Sequence, residues 1–268
     1  MNKFNLVSKP FAHAYSSTWY KKSDFITWEY DTKINPITFY IDSDLYQGIN
    51  DKNDGKRKFL WGLESPKYNN DFIHHVKSNL ENVLDSFETI FTYSDELLDL
   101  SPKFKFIPAG GFWIEDTKLN EKTKLVSMIC SDKTRTELQQ FRVNFANSNK
   151  DKIDVYGHLC RGIQKKEEGL NDYMFSVCIE NDIHDTYFTE KILDAFATGT
   201  IPIYKGTKNV VNHFNVGGIL FLDDINIDDL TEDLYYSKLE YVKENFEKVQ
   251  ELNVLENWMY KNYLKDIV

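Results

Sequence analysis

The chain has 268 residues, 41% of them apolar and 15% aromatic, which suffices for two small domains or one large one. A net charge of −10 argues against a nucleic-acid-binding surface. No stretch approaches the roughly 20 apolar residues of a membrane span and no charged-then-apolar leader opens the chain, so a soluble, cytoplasmic protein is expected. In chain order, apolar runs rich in β-type residues predict strands over residues 4–7, 37–41, 58–63, 89–93 and 104–107. Between the third and fourth, Ile73, Val76, Leu80, Val83 and Leu84 share one face at helical spacing, which predicts a helix over 71–87. Strands alternating with helical segments point to a parallel, Rossmann-like sheet. Residues 108–111, Pro-Ala-Gly-Gly, interrupt both periods and read as a linker.

The second half repeats this logic, with strands predicted over 125–129, 154–156, 175–179, 201–204 and 219–222. Beyond Asp228 the chain is acidic, aromatic and helical. The expected organisation is one domain over 1–110 and a second over 111–268, the latter including the terminal helices. Two Rossmann-like α/β domains facing each other across a cleft are thus expected. Cys130, Cys160 and Cys178 are an odd number in unrelated contexts and read as reduced residues of an intracellular chain.

The most informative stretch is 175–206, FSVCIENDIHDTYFTEKILDAFATGTIPIYKG. A buried strand ends at Glu180 and Asn181, and Thr189 stands where a helix N-cap belongs. Ile192, Leu193, Phe196 and Ala197 supply the apolar stripe of that helix, and Gly199 stops it. Ligands of open α/β sheets bind beyond the carboxyl ends of strands, where helix N-termini direct N–H groups at anions. Lys191, in the first turn, opposes the helix dipole, a cost that makes sense if the amine reaches a phosphate.

These residues resemble the donor-binding motif of glycosyltransferase family 10, the α-1,3/4-fucosyltransferases. The matching elements are Glu180-Asn181, Tyr187, Thr189-Glu190-Lys191 and the strand from Ile201 through Pro202 to Gly206. Residues 125–142, LVSMICSDKTRTELQQFR, resemble the strand-loop-helix that places an arginine on the nucleotide diphosphate. Residues 59–66, FLWGLESP, resemble the strand end that carries the family's base. The resemblance implies a GT-B fold, with 1–110 as the acceptor-side domain and 111–268 as the donor domain, and inverting transfer of fucose from GDP-fucose to a glycan hydroxyl, without an essential divalent metal. A transferase of the same fold using another nucleotide sugar, and a non-catalytic sugar-nucleotide binder, are the alternatives. It implies Glu64 as base, Lys191 and Arg142 as cations on the leaving diphosphate, and Asn181, Tyr187, Glu190 and Tyr173 as further nucleotide contacts. Animal and plant members of the family carry a membrane anchor and luminal disulfides, so this chain looks like a soluble bacterial or viral-type form. Contact with a membrane surface stays open.

Each of these residues also has a plainer reading. Glu64 ends an apolar strand that Pro66 stops, which suits a base whose pKa partial burial raises, but an ordinary loop glutamate fits as well. Arg142 competes with Arg135, since Ser131 is followed here by Asp132 where the family has asparagine. Tyr173 and Tyr156, near strands, read equally as core, and His184 as a solvated loop residue. Asp42-Ser43-Asp44 after a strand is the D-x-D pattern with which GT-A enzymes hold a divalent ion, although chance suffices in so acidic a chain. Residues 10–20, PFAHAYSSTWY, mix rings and hydroxyls as an acceptor site would, with His13, Ser17 and Trp19 as candidates, or form a packed loop.

Overall fold

A computed structural model describes residues 1–11, 13–52, 55–68 and 71–267. The chain divides into two compact units. The first comprises Met1–Gly111, His184–Tyr187 and Leu252–Val268, and the second Phe112–Ile183 and Phe188–Glu251. The boundary at Gly111 lies in the expected linker. The final segment, expected with the domain over 111–268, groups instead with the first unit.

The first unit holds a six-stranded parallel sheet of β1 (Asn2–Leu6), β2 (Ile26–Tyr30), β3 (Ile37–Ile41), β4 (Arg57–Trp61), β5 (Thr89–Thr92) and β6 (Phe104–Phe106). Their order is β2-β1-β3-β4-β5-β6. Phe59, Leu60 and Trp61 of β4 are fully buried, as both faces of a central parallel strand must be. Phe39 and Phe59 stack across neighbouring strands with ring centroids 4.9 Å apart. Helices α1 (Leu45–Asn50), α2 (Phe72–Ser78), α3 (Leu80–Ser86) and α4 (Asp95–Leu98) lie between strands. The helix predicted over 71–87 is thus two helices, broken at Asn79. Asn79 leaves helical geometry at φ −125°, ψ 27°, and its side chain donates to the carbonyl of His75 at 2.9 Å. Such side-chain bonds to the preceding turn offer asparagine an alternative to the helical ladder.

In the second unit β7 (Lys124–Ile129), α5 (Glu137–Asn149), β8 (Asp154–Tyr156), β9 (Tyr173–Ile179), α6 (Glu190–Ala197), β10 (Ile201–Lys205) and β11 (Leu220–Phe221) form a second parallel α/β layer. Its strand order is β11-β10-β9-β7-β8. All of β9 is buried. Helices α7 (Glu232–Ser237) and α8 (Leu239–Val249) follow, and α9 (Leu255–Met259) belongs to the first unit. Gly199 takes the left-handed conformation that ends α6, φ +67°. Two Rossmann-like parallel units are the GT-B fold. From β7 the chain steps outward to β8, then returns to β9 on the other side of β7. The sheet therefore reverses between β7 and β9, where ligand crevices of open α/β sheets form.

Candidate active site

A cavity of about 170 Å³ opens at this reversal, lined by Ile129 of β7 and Ser131 just after it, by Ser176 to Ile179 of β9, and by side chains of both following helices. Arg142 reaches it from α5, and Glu190, Lys191 and Asp194 from α6, with Trp113 and Lys166 completing the wall. Helix α5 begins with a capping box. The Thr136 hydroxyl accepts from the Gln139 N–H, and the Gln139 side chain accepts from the Thr136 N–H. That register turns Arg142, in the second helical turn, toward the cavity and buries it. Its guanidinium donates to Ser131 Oγ at 3.1 Å, Asn181 Oδ1 at 3.2 Å and the Ile179 carbonyl at 3.3 Å.

Lys191 is enclosed by acceptors. Its Nζ lies 2.9 Å from Thr189 Oγ1, 3.2 Å from Glu190 Oε1 and 3.4 Å from Glu180 Oε2. Glu180 is fully buried and accepts from the Thr189 N–H at 2.9 Å and the Thr189 hydroxyl at 2.7 Å. It thereby fixes the N-cap of α6 from the end of β9. A Cβ on Gly206 would stand 2.3 Å from the Tyr204 hydroxyl and 2.8 Å from Glu180 Cγ, so the glycine of the motif makes room for both side chains. Burial alone would lower the Lys191 pKa, but the carboxylates of Glu190 and Glu180 outweigh it and push the ammonium up. Burial likewise would raise Glu190, yet Lys191 and Lys166 pull it down to about 2. Asp194 goes the other way. Burial, opposed by Lys166, pushes it up to about 6, which leaves it ionised at neutral pH.

The sequence-predicted residues separate into groups. Arg142, Glu190 and Lys191 share the cavity, whereas Arg135 is exposed just before α5. Asn181 stands behind Arg142, its carbonyl accepting from the Thr136 hydroxyl at 2.6 Å and its Oδ1 from Gln139 at 3.2 Å. Tyr173 is buried away from the cavity wall. Its hydroxyl donates to Asp154 at 2.7 Å and shares a 2.7 Å bond with Tyr156. Tyr187 belongs to the first unit, buried against Tyr93 with ring centroids 5.0 Å apart. Both tyrosines are thus core residues in this structure, because rings this apolar gain more from burial than from exposure.

Glu64 follows β4 in the first unit and is partly buried. Its backbone is held from both sides. Tyr93 donates to its carbonyl at 2.7 Å, and its N–H and that of Leu63 point at the carboxylate of Asp42, at 3.4 and 2.8 Å. Asp42 is buried, and Asp44 accepts from the Ser8 hydroxyl at 2.8 Å, so the D-x-D carboxylates hold local backbone and side chain. Among the described residues, the one grouping of three or more His, Cys, Asp and Glu with metal-ligand spacing is Glu96, His184 and Asp185, and Asp42 and Asp44 are not part of it. Of the acceptor-side candidates, Ser17 is tied by its N–H and hydroxyl to Glu256 at 2.8 Å each, and Trp19 packs edge-on to His13 at 4.8 Å. Sequence reasoning missed Lys166, Asp194 and Trp113. Asp194 had a signal, a carboxylate within the apolar stripe of α6 one turn from Glu190. Lys166, inside the run KKEE, had none.

All three cysteines are free. Among the described residues no helix is long and apolar enough to cross a membrane.

Residues 119–251 match the family model described as glycosyltransferase family 10 (fucosyltransferase), C-terminal. The chain is 37% identical over 75 residues to alpha-(1,3)-fucosyltransferase FucT of Helicobacter pylori, a match covering 28% of this chain and 16% of that protein. It is 27% identical over 180 residues to 4-galactosyl-N-acetylglucosaminide 3-alpha-L-fucosyltransferase 9 of Cricetulus griseus, covering 63% of this chain and 46% of the relative. These matches thus span less than half of either relative. Among solved structures, an alpha1,3-fucosyltransferase superposes over 98% of this chain and 87% of its own, with a TM-score of 0.56 and 17% identity. An alpha1,3-fucosyltransferase with GDP covers 99% and 91%, with a TM-score of 0.53 and 15% identity. At these identities the likeness is one of fold. All the residues lining the switch-point cavity except Trp113 fall within 119–251, so this stretch of the chain carries the C-terminal domain of glycosyltransferase family 10.

Proposed function

We propose that the chain is an inverting glycosyltransferase that moves fucose from GDP-fucose to a hydroxyl of a glycan. The observation that carries this reading is the convergence of Arg142 and Lys191 on one cavity at the reversal of the second sheet, within the stretch that matches the family. A nucleoside diphosphate needs cations and helix N–H groups where its charge lies, and it gains charge as it leaves, so the same groups stabilise the transition state more than the ground state. In the proposed reaction the acceptor oxygen attacks the anomeric carbon of fucose. The bond from that carbon to the β-phosphate oxygen breaks with its electron pair going to GDP, and Glu64 takes the acceptor's proton.

Because Lys191, Arg142 and the α6 N-terminus supply the positive charge, this chemistry requires no divalent ion. The test is a donor panel scored for release of GDP, UDP or CMP in the presence of a glycan acceptor, with and without EDTA. GDP release from GDP-fucose that persists in EDTA is the expected result. Turnover of UDP-sugars alone would remove the fucosyl assignment, and loss in EDTA restored by manganese would remove the metal-independent mechanism.

A further inference from the structure

Lys166 has no place in the chemistry above, yet it is held in the cavity wall as firmly as Lys191. It sits in the 3-10 turn Lys166–Gly169 between β8 and β9. Glu168 accepts from the N–H groups of Gln164 and Lys165 at 2.9 Å each, and Ser127 of β7 donates to the Gly169 carbonyl at 2.6 Å. The Nζ of Lys166 lies 2.5 Å from Asp194 Oδ2, 3.7 Å from Glu190 Oε1 and 4.3 Å from the centre of the Trp113 ring. Asp194 is buried, and its other oxygen accepts from the Trp113 N–H at 2.5 Å.

Around Lys191 the charges alternate. Lys166 meets Asp194 and Glu190, Glu190 meets Lys191, and Lys191 meets Glu180. With Arg142, three cations face three carboxylates in and behind the cavity wall. A diphosphate entering here gains little from Lys191 alone, because Glu180 and Glu190 already compensate that ammonium. In a largely buried site, one uncompensated carboxylate repels an anion by more than it would at a surface.

We infer that Lys166 is a positioning cation of the donor site, which offsets the buried carboxylate of Asp194 so that this charge does not repel a diphosphate approaching Lys191 and Arg142. The inference rests on the donor reading given above. It predicts that removing Lys166 weakens ligands in proportion to their phosphate charge, without touching recognition of the nucleoside.

The experiment measures GDP by calorimetry and guanosine by NMR titration, on the full chain and on Lys166→Met and the double variant Lys166→Met/Asp194→Asn. In Lys166→Met the dissociation constant for GDP should rise about tenfold or more, and that for guanosine should stay within about twofold. The double variant removes the buried carboxylate together with its partner, so it neither strands a charge nor shifts the balance. Its GDP affinity should return to within about threefold of the unsubstituted chain. Equal losses for GDP and guanosine, or a double variant as weak as Lys166→Met, overturn the inference. GDP binding undiminished in Lys166→Met overturns it alone, whereas an unsubstituted chain that does not bind GDP overturns the donor reading and the inference with it.

Discussion

Glu64 and Lys191 belong to different units and to different stages of the proposed reaction, which makes them separable by kinetics. Glu64→Gln keeps the shape and hydrogen bonding of the side chain but removes the base, so turnover should fall by roughly two to four orders of magnitude. Affinity for GDP-fucose should stay unchanged, because the cavity that would receive the diphosphate is built entirely from second-unit residues. Lys191→Ala should instead raise the donor's dissociation constant and lower turnover together, since the diphosphate is charged before and more so after bond cleavage. Near-normal turnover in Glu64→Gln would place the base elsewhere. At this scale the sequence was legible where spacing is rigid. Thr189-Glu190-Lys191 share one turn of helix, so their convergence follows from the motif. Arg142 against Arg135 was undecidable from spacing, and it is the capping box at Thr136 that sets the phase of α5 and buries the former. Lys166 was illegible because its partners come from α6 and from the segment after the linker, and a lysine in a charged run ordinarily faces water.

Lys122 shows how the elements of the second unit are tied. It precedes β7, and its buried Nζ donates to the carbonyls of Thr198 at 2.7 Å, Asn171 at 3.0 Å and Leu170 at 3.3 Å, and to Thr200 Oγ1 at 3.0 Å. One side chain thus joins the entry to β9 with the turn between α6 and β10. Burial, only partly opposed by Asp172, pushes this ammonium down to about 7. An unfolded lysine near 10.5 holds its proton over the whole range between the two values, so the unfolded state binds more protons there and stability rises with pH. Below about pH 7 both states are protonated and the cost of burying the charge is present in full. Urea denaturation at pH 6.5, 8 and 9.5 should therefore show the native chain gaining stability relative to Lys122→Met as pH rises. A constant difference across that range would show that the amine keeps its proton in the folded chain. Element existence was readable in this unit because its strands are short apolar runs bounded by turn residues. In the first unit β2 was missed. ITWEY has only Ile26 fully buried and lies at the sheet edge, so its pattern lacks the apolar continuity that marked the others.

For the molecule as a whole, the informative contact is one that sequence distance hides. Glu256 of α9 is fully buried and accepts from the N–H and hydroxyl of Ser17 at 2.8 Å each and from Trp28 Nε1 at 3.0 Å. The Leu255 N–H donates to the Thr18 hydroxyl at 3.2 Å, and Asn257 accepts from Ser23 at 2.7 Å. These bonds are why the C-terminal segment completes the first unit rather than the second, and no pattern in residues 228–268 announces a partner more than two hundred positions earlier. Glu256→Ala removes the acceptor of three part-buried donors, at about 1–3 kcal/mol for each one left unsatisfied. The damage should be local. Amide hydrogen exchange should speed up in α9 and β2, which Glu256 joins, and in β1, which pairs with β2, while β7 and β9 of the second unit keep their protection. Uniform acceleration across both units would mean that the chain opens as one cooperative body and that the division at Gly111 has no thermodynamic counterpart. Unchanged exchange in β1 and β2 would mean that the sheet of the first unit stands without its C-terminal helix.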